Sequence, residues 1–160
     1  MEVDVVTRII VERPIEVVSA FAANPDNAPV WYVNIESVEW ISSPPLRVGS
    51  RVAFIARFLG RRLSYTYEVI THDPAARLVM RTAEGPFPME TSYEWRSLGA
   101  SLSEMTLRNR GMPRGFSKMM RPFLSMAMRR ANRLDLERLK AHMEGERLPP
   151  TARHADIAQP

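Results

Sequence analysis

Tyrosine, threonine and asparagine recur at alternate positions through the middle of this 160-residue chain: Tyr65 and Tyr67, Thr91 and Tyr93, then Asn109. Hydroxyl and amide groups that leave water need hydrogen-bond partners. A set of them on one side of extended segments is therefore suited to orienting a carbonyl or hydroxyl on a bound molecule, with Tyr65, Tyr67, Tyr93 and Asn109 the leading candidates. The plain alternative is that they bond to backbone and only hold the fold. As proton-transfer groups tyrosines are poor at neutral pH unless their pKa falls from about 10. The three histidines do not cluster: His72 is expected in a turn beside Asp73, His142 near the helix end, and His154 in a polar tail. That spacing does not make a metal site. No Gly-x-Ser-x-Gly, phosphate loop or dinucleotide fingerprint occurs, so no cofactor is expected. The chain has no cysteine, which excludes disulfides and thiolate metal sites and fits a reducing compartment.

The elements that position these groups are legible from periodicity. Residues Val3 to Val11 alternate as a strand, with Val3, Val5, Thr7, Ile9 and Val11 on one face. Pro14 and Glu16 open a short amphipathic helix through Phe21, with proline expected at its first position. Asn24-Pro25-Asp26 repeats the start signal, and the close-following Pro29 limits that helix to a turn or two near Trp31. From Val33 to Arg110 the period is two, broken by Ser42-Ser43-Pro44-Pro45, Gly60-Arg61, His72-Asp73-Pro74, Gly85-Pro86-Phe87-Pro88 and Gly99. Strands this regular, with short links, predict a meandering antiparallel sheet with one buried face. That face collects Phe54, Ala56 and Phe58, then Tyr65 and Tyr67, then Met80. Thr91, Tyr93 and Trp95 follow, and Met105, Leu107 and Asn109 complete it.

After Gly111-Met112-Pro113 the period becomes 3.6. A stripe through Phe116, Met119, Met120, Phe123, Ala127, Ala131 and Leu134 continues to Leu139 and Met143, predicting one helix of roughly eight turns. Pro122 should kink it or end a first segment at Arg121. If the sheet and helix enclose a cavity, the helix wall is expected to be Met119, Met120, Phe123 and Ala127. Five of the ten methionines lie between Met112 and Met128, which suits a pliable apolar ligand. The alternative is simple core packing.

The net charge of +4 is uneven: eleven Lys and Arg between Arg108 and Arg147 face four acids. Aromatic residues suited to base stacking are not interleaved with them, so nucleic acid is not the expected partner. The bland account is the solvated side of one amphipathic helix; a membrane surface or a protein are the other partners such a face suits. Met1-Glu2-Val3-Asp4 lacks the basic and apolar regions of a signal peptide, and no apolar run reaches the roughly 20 residues of a membrane span. The expectation is a cytoplasmic protein with no integral membrane association. Glu146 to Pro160, proline-rich and poor in apolar residues, reads as a disordered tail, leaving 1–145 as one domain.

The order of one strand, two short helices, six strands and a long C-terminal helix resembles the SRPBCC superfamily. Its members include START lipid-binding domains, the birch-pollen-allergen fold and polyketide cyclase/dehydrase proteins. Val11-Glu12-Arg13-Pro14-Ile15-Glu16-Val17-Val18-Ser19-Ala20-Phe21 is similar to the family's entry into its first helix. Asn24-Pro25-Asp26-Asn27 followed by Trp31 is similar to its second helix, and Val48-Gly49-Ser50-Arg51 to a strand start. The likeness covers about residues 2 to 144. It implies an α+β, START-like helix-grip fold: a curved antiparallel sheet of about seven strands around the last helix, over an apolar cavity. It implies no single activity. Three functions follow as alternatives: binding or transport of a small hydrophobic molecule (lipid, polyketide or isoprenoid), a cyclase/aromatase or dehydratase working in the same cavity, or an interaction module using the basic helix face. The weakness of the second is the lack of an acid–base residue of suitable pKa.

Overall fold

A computed structural model describes residues 2–112, 114 and 118–145. Strand β1 (Val3–Val11) is followed by helix α1 (Ile15–Ala23), a 3₁₀ turn (Pro25–Asn27) and the single-turn helix α2 (Ala28–Trp31). Six strands follow: β2 (Ile35–Trp40), β3 (Arg51–Phe58), β4 (Arg61–Asp73), β5 (Arg77–Glu84), β6 (Met89–Gly99) and β7 (Leu102–Gly111). A second 3₁₀ turn (Lys118–Met120) leads into the long helix α3 (Arg121–Gly145). The strands form one antiparallel sheet in the order β1-β7-β6-β5-β4-β3-β2. The helix-grip architecture expected from the sequence is the observed one. Phe116 and residues 146–160, with the predicted tail, lie outside the described residues.

Local chemistry accounts for the joints. Pro14 stands at the N-cap of α1, one position ahead of the expected first turn. Asn24 Oδ1 accepts from the Asp26 N–H at 3.1 Å, capping the first 3₁₀ turn. The β3–β4 hairpin turns on Leu59 and Gly60, one residue earlier than the expected Gly60-Arg61. Phe58 pairs with Arg61, and both loop residues have positive φ (50° and 74°), the geometry that matches the twist of the flanking strands. Pro122 sits in the first turn of α3, where its missing N–H costs nothing; the helix starts there rather than kinking.

The concave face of the sheet is apolar and the convex face is charged. Val52, Phe54, Val69, Leu78, Met80, Trp95, Met105 and Leu107 are buried on the concave side. Cross-strand ion pairs such as Arg77–Glu94, Arg96–Glu104 and the Arg81–Glu90–Arg110 set cover the convex side. Each exposed pair contributes about 0–1 kcal/mol, so they tune register and solubility more than stability.

The C-terminal half of α3 closes directly on the sheet. Leu136, Leu139 and Met143 join Val11, Val18, Met105 and Leu107 in one apolar cluster. Nearer its start, Leu124 belongs to a second small cluster with Val3 and Val5.

Candidate functional site

Residues from both clusters line a cavity of about 140 Å³ between the sheet and the N-terminal half of α3. Phe54, Ala56 and Phe58 supply its β3 wall, Leu63, Tyr65 and Tyr67 its β4 wall, and Met80 its floor on β5. Thr91 and Tyr93 of β6 and Asn109 of β7 complete the sheet side. Leu124, Met128, Ala131, Asn132 and Asp135 line it from α3, and Tyr32 from the end of α2.

One end of this apolar space is polar, and the polar groups are organised. Tyr67 Oη lies 2.8 Å from Thr91 Oγ1, which donates at 2.6 Å to Asn109 Oδ1. Asn109 Nδ2 in turn donates at 3.0 Å to Asn132 Oδ1 on α3. Thr91 and Asn109 are direct cross-strand partners, so the register of β6 on β7 sets the middle of this chain. Beside it the hydroxyls of Tyr32 and Tyr93 stand 2.5 Å apart. Trp31, fully buried, packs tilted against Tyr32 and meets Tyr93 edge-on, which fixes the pair.

Asp135 is the carboxyl of the site. It is 3% exposed, and its Oδ1 accepts from the Val33 N–H at 2.8 Å. Burial pushes its pKa from 3.8 up to about 7, against the lowering effects of the Val33 N–H and Arg138. The tyrosines go the other way from usefulness as bases. Burial raises Tyr67 to about 12 and pushes Tyr32, Tyr65 and Tyr93 well above the usual tyrosine value, so all four are neutral hydrogen-bond groups at physiological pH.

A family model described as polyketide cyclase / dehydrase and lipid transport matches residues 2–144. The chain belongs to that family. No curated protein matches it by sequence. Solved structures of the same fold include the Zhui aromatase/cyclase of a Streptomyces species, with TM-score 0.76 and 18% identity over 90% of this chain and 94% of that one. A START superfamily protein of Mycobacterium smegmatis gives TM-score 0.76 and 12% identity over 89% and 97%. A major latex-like protein of Panax ginseng gives TM-score 0.63 and 12% identity over 89% and 97%. Identities this low carry the helix-grip fold and nothing finer. Among the described residues no helix is long and apolar enough to cross a membrane.

In this member of the polyketide cyclase/dehydrase family, the sheet-side residues expected to line the cavity fall into two groups. Phe54, Phe58, Tyr65, Tyr67, Met80, Thr91, Tyr93 and Asn109 line it. Trp95, Met105 and Leu107 do not: they sit farther along the same face, where α3 has already closed on the sheet, and are core. The helix-side expectation is corrected. Met119, Met120 and Phe123 are 85%, 44% and 62% exposed, and Ala127 lines a separate groove on the outer side of α3. The inward stripe is displaced by about one residue, to Leu124, Met128, Ala131, Asn132 and Asp135. Hydrophobicity misplaced it because Phe123 and Met126 are apolar and outward, whereas Asn132 and Asp135 are polar and inward. The spacing of Leu124, Met128, Asp135, Leu139 and Met143 carried the signal: a carboxylate on a buried stripe. His72 and His142 are not part of the site; His142 stacks on Phe21 at 4.8 Å.

Proposed function

We propose that this protein binds a small hydrophobic molecule in the cavity between its sheet and α3. The observation that supports the reading most is a gap kept open between apolar walls although α3 packs tightly on the same sheet one turn further on. Its size selects among ligands. About 140 Å³ is the scale that takes a benzene-sized guest, where an engineered cavity of roughly 150 Å³ does so. Sites for drug-sized molecules run to roughly 300–1,000 Å³. A compact, one-ring ligand fits the cavity as it stands, and a longer lipid or polyketide requires the cavity to widen. The test is native mass spectrometry of the purified protein, with calorimetric titration of ethylbenzene. Uptake by the parent and its loss in a folded Leu63→Trp, a half-buried position in the β4 wall, support the reading. No uptake of extracted or added apolar compounds by the parent defeats it.

A second reading, a cyclase- or dehydratase-type enzyme, is favoured by Asp135. A carboxyl with pKa near 7 inside an apolar cavity is a competent proton acceptor or donor at neutral pH, and it faces neutral tyrosines that can stabilise an enolate oxygen. Incubation with short poly-β-ketone mimics tests it. Turnover that vanishes in Asp135→Asn supports the enzyme, and no turnover by the parent retires it.

A further inference from the structure

Hydrogen-bond direction among the polar groups of the cavity bears on which group of a ligand they would receive. A hydroxyl has one hydrogen to give, and an amide offers its oxygen only as acceptor and its nitrogen only as donor. Thr91 gives its hydrogen to Asn109 Oδ1, so the Tyr67 hydroxyl must donate to Thr91 Oγ1. Asn109 then spends its Nδ2 on Asn132 Oδ1. The chain runs one way, from β4 through β6 and β7 to α3, with Thr91 Oγ1, Asn109 Oδ1 and Asn132 Oδ1 as its successive acceptors. What remains at its end is the Nδ2 of Asn132. Three buried side-chain nitrogens have no hydrogen-bond partner among the described residues, those of Trp31, Trp95 and Asn132. Of these three residues only Asn132 lines the cavity, and it is 3% exposed. A buried donor without an acceptor costs about 1–3 kcal/mol, which a bound acceptor would recover.

We infer that the cavity selects a compact apolar molecule bearing a carbonyl-type acceptor oxygen, received by Asn132 Nδ2 at the end of the Tyr67–Thr91–Asn109 chain. The inference rests on the reading of the cavity as a ligand site and adds the chemical class of the ligand. It also gives the four residues separate roles. Asn132 is the residue that meets the ligand, while Tyr67, Thr91 and Asn109 are positioning residues that engage its amide oxygen and leave its nitrogen without a partner.

The experiment compares acetophenone with ethylbenzene, probes of similar shape that differ in one oxygen, on the parent and on Asn132→Leu. The readout is the ratio of the two affinities, which cancels general effects of the substitution on the fold. The ketone-to-hydrocarbon ratio is expected to fall about tenfold or more in the variant, the size of one hydrogen bond to an otherwise unsatisfied donor. Should the variant not fold, the Asn132 side-chain amide resonances of the parent serve instead. They are expected to shift with acetophenone and stay in place with ethylbenzene. Binding of both probes with an unchanged ratio, or with no selective amide shift, overturns the inference and leaves the cavity reading intact. Failure of the parent to bind either probe overturns both.

Discussion

The two faces of α3 over its first half reverse the usual distribution of side chains. The outer face exposes Phe123, Met126 and Leu134 beside Arg129, Arg130 and Arg133. The inner face buries an asparagine and an aspartate between Leu124 and Leu136. Farther along, the same helix returns to the ordinary pattern, with Leu139 and Met143 inside and Arg138 outside. A helix that only closed a core would have no use for Asn132 and Asp135, since burying each costs free energy that Leu would not. The contrast separates a closing half, whose inner residues supply stability, from a cavity-lining half, whose inner residues give some of it up.

The largest effect that would sharpen this contrast comes from the closing half. Leu136 is 1% exposed in the main cluster, and Leu136→Ala is expected to cost about 4 kcal/mol by chemical denaturation, in the upper part of the range for well-packed leucines. A loss below about 1 kcal/mol would mean that this half does not clamp the sheet.

Next comes the cavity-lining half, where stability should depend on pH. In the unfolded chain the Asp135 carboxyl releases its proton near 3.8, in the folded chain only near 7. Between these values the folded state holds a proton that the unfolded state has lost, so raising the pH favours unfolding. The span corresponds to at most roughly 4 kcal/mol, all of it present as a penalty above pH about 7 and absent below about 4. The groups that face Asp135 are Tyr32 from the end of α2, Tyr65 from β4, Tyr93 from β6 and Arg138 on α3. The tyrosines stay neutral throughout this range, so they do not compete with the carboxyl for the proton. Asp135→Asn keeps an oxygen for the Val33 N–H and cannot ionise. The variant is therefore expected to gain on the parent as pH rises from 4 to 7 and to exceed it by a few kcal/mol at pH 8. Parallel stability curves for the two proteins would contradict the buried, protonatable carboxyl.

Most of the fold was legible because the strands largely obey one rule. Period-two alternation from Val52 to Asn109 is broken mainly by turns whose residues announce them, with register shifts in β4 and β6 that the pattern did not show. The sheet side of the site was legible for the same reason: Tyr67, Thr91 and Asn109 stand at inward positions of clean strands. The helix side was not. On a helix a shift of one residue turns a side chain by about 100°, and the apolar residues that set the phase, Phe123 and Ala127, lie on the outer side. Asn132 and Asp135 were invisible to hydrophobicity because they are polar, and Tyr32 because it follows the second short helix rather than a strand. The raised pKa of Asp135, whose absence weakened the enzyme reading, arises from burial by groups far away in sequence.

The smallest expected effect is the most discriminating. Phe123 carries the largest apolar side chain in the first half of α3, and hydrophobicity alone assigns it to the cavity wall, where an arginine would abolish ligand uptake. The structure puts it 62% exposed beside the arginines of the outer groove. Phe123→Arg should therefore change stability by no more than about 0.5 kcal/mol, as surface substitutions do, and leave the uptake of ethylbenzene as it is in the parent. Loss of uptake in a folded variant would mean that α3 is rotated by about one residue from the orientation described. Asn132 and Asp135 would then face elsewhere, and the polar end of the cavity would lose both its donor and its acid. Because the same rotation governs all three, this single conservative-looking measurement on the outside of the helix tests the assignment of every site residue on its inside.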